Sequence, residues 1–336
     1  MKILVTGAGG FLGSRIAASL LAQGATDLRL HVREHPPRGL IEDLQERYPH
    51  AHIEWTGANL LARGMLDPLV EGVDCIVHAA AGMRGAPADM FANTVVGTRN
   101  LLEAAGQRGT ARRIVLVSSF SVYRTESLET GALLDETVPV ESIGIEKGPY
   151  GYAKTRQESL ALELAQRYGF DLVRVRPGVI HGPGGGGLSP RVGLRVLGLF
   201  FSLGGRAQLP LSYVDNCADA IAVATLKGSP GSVFNVVDDD LPSCSAYLRA
   251  YRANVQKLRV LPVPYPALLL GSRLLVWYHR KSKGQLPAVF TPYVVRSMYR
   301  PLRYSNAALK ALGWRQRIAT ADGIAATFRE LRNPST

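Results

Sequence analysis

A doubly wound parallel α/β sheet with a smaller, mostly C-terminal lobe is what this chain predicts, and three observations carry the prediction. A short apolar strand runs directly into a glycine-rich turn near residue 7. Apolar runs alternate with helical periods through the first half. The runs themselves, such as Cys75-Ile76-Val77-His78 and Ile114-Val115-Leu116-Val117, are apolar on both faces, as strands inside a parallel sheet must be.

The first element, Ile3 to Val5, reads as a buried strand within a first strand over 2–6. Thr6-Gly7-Ala8-Gly9-Gly10-Phe11-Leu12-Gly13 then turns into a helix over 10–23 that carries Ile16, Leu20 and Leu21. Glycines let the backbone approach a ligand and let the helix pack on the strand, and a helix N-terminus presents unpaired N–H groups and positive dipole character. Strand, glycine turn and helix in this order predict a dinucleotide-phosphate site. Further strands are expected at 27–32, 51–55, 74–79, 113–118 and 171–176, with helices at 38–48, 89–108 and 150–168. After Pro183 the character changes: Gly184 to Gly187 form a loop and 192–203 is apolar. Tyr213-Val214-Asp215-Asn216 opens a helix through Ala218, Ile221, Ala222 and Leu226, Ser232 to Val237 form another strand, and 241–336 mix helix and loop. Residues 1–182 are therefore expected to form the dinucleotide-binding domain, with 213–240 returning to it, and 183–212 with 241–336 the substrate lobe.

The 336 residues are about twice a usual domain, and 46% hydrophobic content supports a sizeable core. Three scattered cysteines show no metal-ligand pattern and suggest a reducing, cytoplasmic setting. No signal peptide is expected before a glycine loop this close to Met1, and no apolar run is long enough to span a bilayer. The net charge of +12 favours anionic small molecules or surfaces, while nucleic-acid signatures are missing.

Two constellations carry chemistry. Tyr150 and Lys154 stand at i and i+4 on one helix face, where the ammonium is expected to favour the phenolate of Tyr150 and so make it an acid/base, and also to hold a cofactor ribose. Ser118-Ser119-Phe120-Ser121-Val122-Tyr123 follows a strand at its C-terminal end, where ligand crevices lie, so Ser118, Ser119 and Ser121 each offer a hydroxyl to a reacting oxygen.

With these motifs, Val77-His78-Ala79-Ala80, Asn93 with Gly97-Thr98-Arg99-Asn100, Arg176-Pro177-Gly178 and Tyr213-Val214-Asp215-Asn216, the chain resembles the extended short-chain dehydrogenase/reductases, also called the NAD-dependent epimerase/dehydratase family, with their Rossmann fold. The resemblance covers 1–240 well and the remainder less so, where the chain loosely resembles 3β-hydroxysteroid-dehydrogenase-like members, whose substrates are apolar. It implies Tyr150 as acid/base, Lys154 as its partner and ribose ligand, and Ser119 as the group polarising the substrate oxygen. It also implies that Gly7, Gly10, Phe11, Leu12 and Gly13 cradle the cofactor, that Ala79 and Ala80 line it, and that Pro177, Gly178 and Val179 meet the nicotinamide carboxamide. Asn93 is implied as a structural or active-site amide. Asn59-Leu60 stands where relatives often have Asp-Leu near adenine, and His181 where many have tyrosine.

Arg33 occupies the end of the second strand, where an acidic residue about 20 positions past the glycines marks NAD specificity. An arginine there suits a 2′-phosphate, so NADP is favoured over NAD; Glu34 offers the NAD role after a register shift, and His31 and Arg38 are candidate phosphate ligands. In the lobe, Leu261 to Tyr278 is strongly apolar and is followed by the basic run His279-Arg280-Lys281-Ser282-Lys283. This suits peripheral membrane contact through 261–283, a lid over a greasy substrate, or a core helix of the lobe. Pro262, Pro264 and Pro266 are expected to prevent a long uninterrupted helix. Arg191, Arg195, Arg206, Arg249 and Arg296 are candidates to bind a substrate diphosphate.

The functional expectation is an NAD(P)-dependent oxidoreductase that passes a hydride to or from a carbinol or carbonyl carbon of a small molecule, acting as a homodimer with no metal. Alternatives are a nucleotide-sugar epimerase or dehydratase with retained NAD, and a non-catalytic NADP(H)-sensing protein.

Overall fold

The computed structural model describes residues 1–83, 85–142, 144–282 and 290–333. In chain order its strands are β1 Ile3–Thr6, β2 Asp27–Val32, β3 His52–Gly57, β4 Cys75–His78, β5 Arg113–Val117, β6 Leu133–Leu134 and β7 Asp171–Pro177. They continue with β8 Val179–His181, β9 Gly193–Val196, β10 Leu199–Ser202, β11 Leu211–Tyr213, β12 Val233–Val236, β13 Val260–Pro262 and β14 Arg303–Tyr304. The helices are α1 Gly13–Ala22, α2 Leu40–Arg47, α3 Asp67–Val70, α4 Pro87–Phe91, α5 Gly97–Arg108, α6 Gly148–Tyr168 and α7 Val214–Lys227. Then come α8 Cys244–Asn254, α9 Tyr265–Lys281, α10 Pro292–Tyr299, α11 Ala307–Ala311 and α12 Thr320–Arg332.

Seven strands form one parallel sheet in the order β12-β7-β5-β4-β1-β2-β3. Ile3 sits between Leu28 of β2 and Cys75 of β4, so the chain winds outward in both directions from β1. That reversal leaves a crevice beyond the C-terminal ends of the strands. Alternation along β1 builds the two cores: Ile3 and Val5 enter the layer with α1 and α7, and Leu4 enters the layer with α5 and α6. All three are fully buried, so trimming Ile3 or Leu4 to alanine costs about 2–5 kcal/mol.

Local expectations shift where hydrogen bonding decides. The first helix begins at Gly13, because Gly10 is spent in the turn, its N–H bonding the Gly7 carbonyl. The helix expected over 89–108 is α4 and α5 joined by a π-helical turn at Ala92–Val96. The apolar stretch 192–203 holds the antiparallel pair β9 and β10, with β13 parallel to β10 on the other side. β12 joins the main sheet beside β7. The Tyr213-to-Asn216 motif ties distant segments: the Tyr213 N–H and the Asn216 amide both bond Asp238, and Asn216 also exchanges bonds with the backbone of Ile318.

α9 corrects one expectation. It runs unbroken for 17 residues despite the prolines, because Pro264 is its N-cap and Pro266 lies in the first turn, where no intrahelical donor is needed. It is not a core helix either: Ser272 is its one buried residue. Lys283, the end of the basic run, lies outside the described residues, as do 284–289 and 334–336. Among the described residues no helix is long and apolar enough to cross a membrane.

Candidate active site

A cavity of about 1340 Å³ opens over the C-terminal ends of β1, β4, β5 and β7. One end is built by the glycine turn. Gly7 takes a φ of +72°, and a Cβ there would stand 3.1 Å from the Ala80 backbone; a Cβ on Gly13 would fall 2.1 Å from the Gly7 carbonyl oxygen. These positions admit only glycine, because turn and helix touch backbone to backbone. The N-terminus of α1 has no side-chain cap and no acidic residue in its first turn, so its dipole is free to meet an anion. Phe11 stacks under Arg15, whose guanidinium also reaches Asp215 at 3.0 Å and the Pro183 carbonyl at 3.1 Å, drawing the 183–187 loop over this end.

Gly7, Gly10, Phe11, Leu12, Gly13, Arg33, Asn59, Leu60, Ala79, Ala80 and Val179 all line the cavity, with Ser119, Tyr150 and Lys154. Pro177 does not: it closes β7 against Val236, and Gly178 lines the wall in its place. Arg33 is exposed, with its guanidinium on the Asn93 side-chain oxygen at 3.1 Å. His31, a candidate phosphate ligand, lines the cavity but is buried. Burial holds its imidazole below the ordinary value and hence neutral, and its Nε2 bonds the Ala58 carbonyl at 2.9 Å. Arg38 is exposed and away from the cavity wall. His181, the last residue of β8, is buried with Nδ1 on the Thr327 hydroxyl at 3.1 Å and takes no part in the lining.

The three serines separate cleanly. Ser118 gives its hydroxyl to Glu158 at 2.6 Å and is consumed there. Ser119 lies beside Tyr150, and its hydroxyl accepts the Ser121 N–H at 3.1 Å. The Ser121 hydroxyl is buried, lines the cavity and has no hydrogen-bond partner among the described residues. Burial raises the Tyr150 pKa, and Ser119 offsets part of the rise. Burial, rather than the Lys154 ammonium expected to favour the phenolate, is thus the leading influence on Tyr150.

Lys154 explains why. Its ammonium donates to the Val117 carbonyl and the Gln157 side chain, both at 2.9 Å, and burial lowers its pKa to about 8. A chain of buried polar groups fixes it. Gln157 donates to Thr98; the Thr98 hydroxyl gives its own proton to the Thr94 carbonyl, so it must accept from His78 Nε2, leaving Nδ1 to accept from Thr6. Thr6 in turn accepts the Ala79 and Ala80 amides. Burial drives the His78 pKa down to about 3, so this ring is neutral at physiological pH. The relay spans the cavity floor from the glycine turn to Lys154.

Beneath it, Glu158 gathers Arg176, Arg174 and Ser118, and Arg176 lies 4.6 Å over the Tyr123 ring. Sequence reasoning quoted the arginine without its partner, because Glu158 carries no signal beyond its place four residues after Lys154. Also missed was Lys147, three residues before Tyr150, which lines the cavity and donates to the Tyr123 carbonyl. Burial lowers its pKa to about 8. Of the five arginines proposed for an anionic substrate, Arg191 alone reaches the cavity; Arg296 borders a shallower groove with Glu126, Glu129 and Arg300. Among the described residues Lys147 and Arg191 make no ion pair, and Arg191 donates to the Met298 carbonyl at 3.1 Å. The substrate end of the cavity thus holds two cations and, among the described residues, no carboxylate.

The model of the NAD dependent epimerase/dehydratase family matches residues 3–236. The chain is 32% identical to cinnamoyl-CoA reductase 1 of Petunia hybrida over 186 residues, 54% of this chain and 55% of that protein, so it spans about half the length of this curated relative. It is 30% identical to 2-alkyl-3-oxoalkanoate reductase of Stenotrophomonas maltophilia over 251 residues, covering 69% of this chain and 67% of that one. Among solved structures, the UDP-glucose 4-epimerase of Thermus thermophilus in complex with NAD superposes with a TM-score of 0.70 at 22% identity over the full length of both chains, which establishes the shared fold.

Proposed function

The chain belongs to the NAD dependent epimerase/dehydratase family, and on that premise we propose that it is an NAD(P)-dependent oxidoreductase reducing a carbonyl carbon on a small molecule with an anionic group. The observation that carries this reading is Ser119 and Tyr150 side by side, next to a buried and partnered Lys154, in the cavity that begins at an uncapped helix N-terminus. The nicotinamide cofactor would be held by the α1 N-terminus, Arg33, Asn59, Leu60, Ala79, Ala80, Val179 and Lys154, and supplies the hydride when bound. Ser119 holds the substrate oxygen and Tyr150 delivers its proton to it, a contribution of roughly 10²–10⁴ in rate. Lys154, positively charged below pH 8, keeps positive potential at the site without bonding Tyr150 directly. Arg33 favours NADP over NAD, and Lys147 with Arg191 supplies the charge that an anionic substrate needs.

The same two cations also suit a diphosphate, which favours a second reading, a nucleotide-sugar epimerase or dehydratase with retained NAD. We also propose that residues 183–212 and 241–336 act as the substrate lobe, that two copies of a cytoplasmic protein pair through the helices over 89–108 and 150–168, where Val96 in the π-helical turn before α5 and Leu162 on α6 stand exposed, and that 261–283 meets a membrane.

Turnover of a panel of oxo acids and their esters with NADPH and NADH tests the reading. We expect faster reduction of the acids, and with NADPH. No Tyr150-dependent turnover with either cofactor overturns it, and NAD⁺ released with a nucleotide sugar on denaturation assigns the second reading instead.

A further inference from the structure

Residues 241–321 contain no aspartate or glutamate and fourteen of the thirty-nine lysines and arginines; the rest of the chain sets the remaining twenty-five against all twenty-seven acidic residues. The entire net positive charge of the protein therefore originates in this part of the lobe. Among the described residues two of its cations reach a carboxylate, Lys310 on Asp239 at 2.7 Å and Arg317 on Asp219 at 3.1 Å, and both partners come from the main body.

Within this acid-free stretch α9 is apolar around most of its circumference. Leu268, Leu269, Ser272, Leu275 and Val276 are buried or half-buried on the side that packs on α10. The opposite side leaves Leu270, Leu274, Trp277 and Tyr278 exposed at 58%, 57%, 59% and 48%. Those positions stand at i, i+4, i+7 and i+8, one face of a helix. Arg273, Arg280 and Lys281 are exposed beside them, and the Lys281 ammonium lies 5.2 Å over the Trp277 ring. An exposed leucine is ordinary; four large apolar side chains in one stripe flanked by cations are not.

We propose that α9 seats this protein on an anionic lipid surface, with Leu270, Leu274, Trp277 and Tyr278 in the interface and Arg273, Arg280 and Lys281 among the phosphates of the headgroups. Charge complementarity selects the occupant. A second copy of this chain would bring an equally basic α9 face against the first, and nucleic acid has no use for an apolar stripe. A helix of this kind lies in the membrane plane with its apolar side buried in the headgroup–acyl boundary. α10, packed beneath α9, contributes Met298 to the wall of the active-site cavity, so the contact brings the substrate end of that cavity near the membrane. The inference deepens the membrane contact of the proposed function and is independent of its redox chemistry, since vesicle binding and turnover are separate readouts.

Co-sedimentation of the full chain with vesicles of phosphatidylcholine alone, and of phosphatidylcholine mixed with phosphatidylglycerol, tests it. Binding is expected to the mixed vesicles only and to weaken with salt. Arg280→Ser with Lys281→Ser should weaken it roughly thirty-fold, taking about 1 kcal/mol per cation at the surface. Leu274→Ser with Trp277→Ser should abolish it while leaving thermal unfolding and turnover of water-soluble carbonyls unchanged. In a Trp55→Phe background, with Trp314 buried, a blue shift of Trp277 emission should accompany binding. Equal binding to pure phosphatidylcholine, binding untouched by either double variant, or no binding at all overturns the proposal. So does a dimer that Leu274→Ser with Trp277→Ser dissociates, or binding to duplex DNA in place of vesicles.

Discussion

The floor of the cavity and the acid-free stretch 241–321 treat charge in opposite ways. Beneath the cavity, Glu158 is 1% exposed and meets Arg176, Arg174 and Ser118, while Lys154, Gln157, Thr98, His78 and Thr6 pass hydrogen bonds along a closed line. In the lobe, cations stand beside exposed leucines, with carboxylates for two of them among the described residues. A buried charge must be answered inside the chain, because leaving it unpaired costs several kcal/mol; an exposed one is answered by water until a partner of opposite charge arrives. The cavity floor is therefore complete as it stands, and the lobe is complementary to something outside it. Lys147 and Arg191 lie between the two regimes: half-buried, cationic, and facing a cavity with no carboxylate at that end among the described residues.

Substitutions can break this contrast. Tyr150→Phe, at the surface of the floor, should lower kcat by roughly 10²–10⁴ with the melting temperature unchanged, measured by steady-state kinetics and calorimetry. Glu158→Gln, within the floor, should destabilise the fold by about 3–5 kcal/mol in denaturant titration, since Arg176 stays buried without its counter-ion. A loss below about 1 kcal/mol would mean that this region is as loosely compensated as the lobe.

Lys147→Gln probes the boundary. It should raise KM for an anionic carbonyl substrate by roughly ten-fold or more, with little change in kcat, and leave the corresponding ester unaffected. The sign with pH follows from a pKa lowered to about 8 by burial and Arg191 against the pull of Glu141 and Glu126. Above that pH the lysine loses its charge, so wild-type KM for the anion should climb there and the variant's should stay flat. Arg33→Ser should reduce the preference for NADPH over NADH by roughly ten-fold, read from the ratio of kcat/KM values. The smallest effect belongs to the lobe: Leu274→Ser alone should change stability by less than about 0.5 kcal/mol, as expected where a side chain touches mostly water.

The N-terminal strand, its glycine turn and the parallel strands that follow were legible because their causes are local. A buried parallel strand must be apolar on both faces, and a helix that packs against a turn must carry glycine where a Cβ would strike backbone, as at Gly7 and Gly13. Tyr150 and Lys154 were legible for the same reason, since a four-residue spacing places both on one helix face. α9 shows the limit of local rules. Its prolines were visible but not their positions relative to the first turn, and those positions turn apparent breakers into a start signal.

By itself, then, the amino-acid sequence determined the order of elements, the sheet's buried interior, the glycine turn and the placing of Tyr150 and Lys154 on one helix face, all of which depend on neighbours within a turn or two. The tertiary structure decided which serine faces Tyr150, that Lys154 rests on Gln157 and the Val117 carbonyl, that His31 and His181 are packed groups, and which of five arginines reaches the cavity. Those choices are made by pairs far apart in the chain: Ser118 with Glu158, His78 with Thr98, Arg191 beside Met298. Hydrophobic periodicity says which face turns inward. It does not say which polar group waits there, because hydrogen-bond partners meet only after the layers have closed on one another.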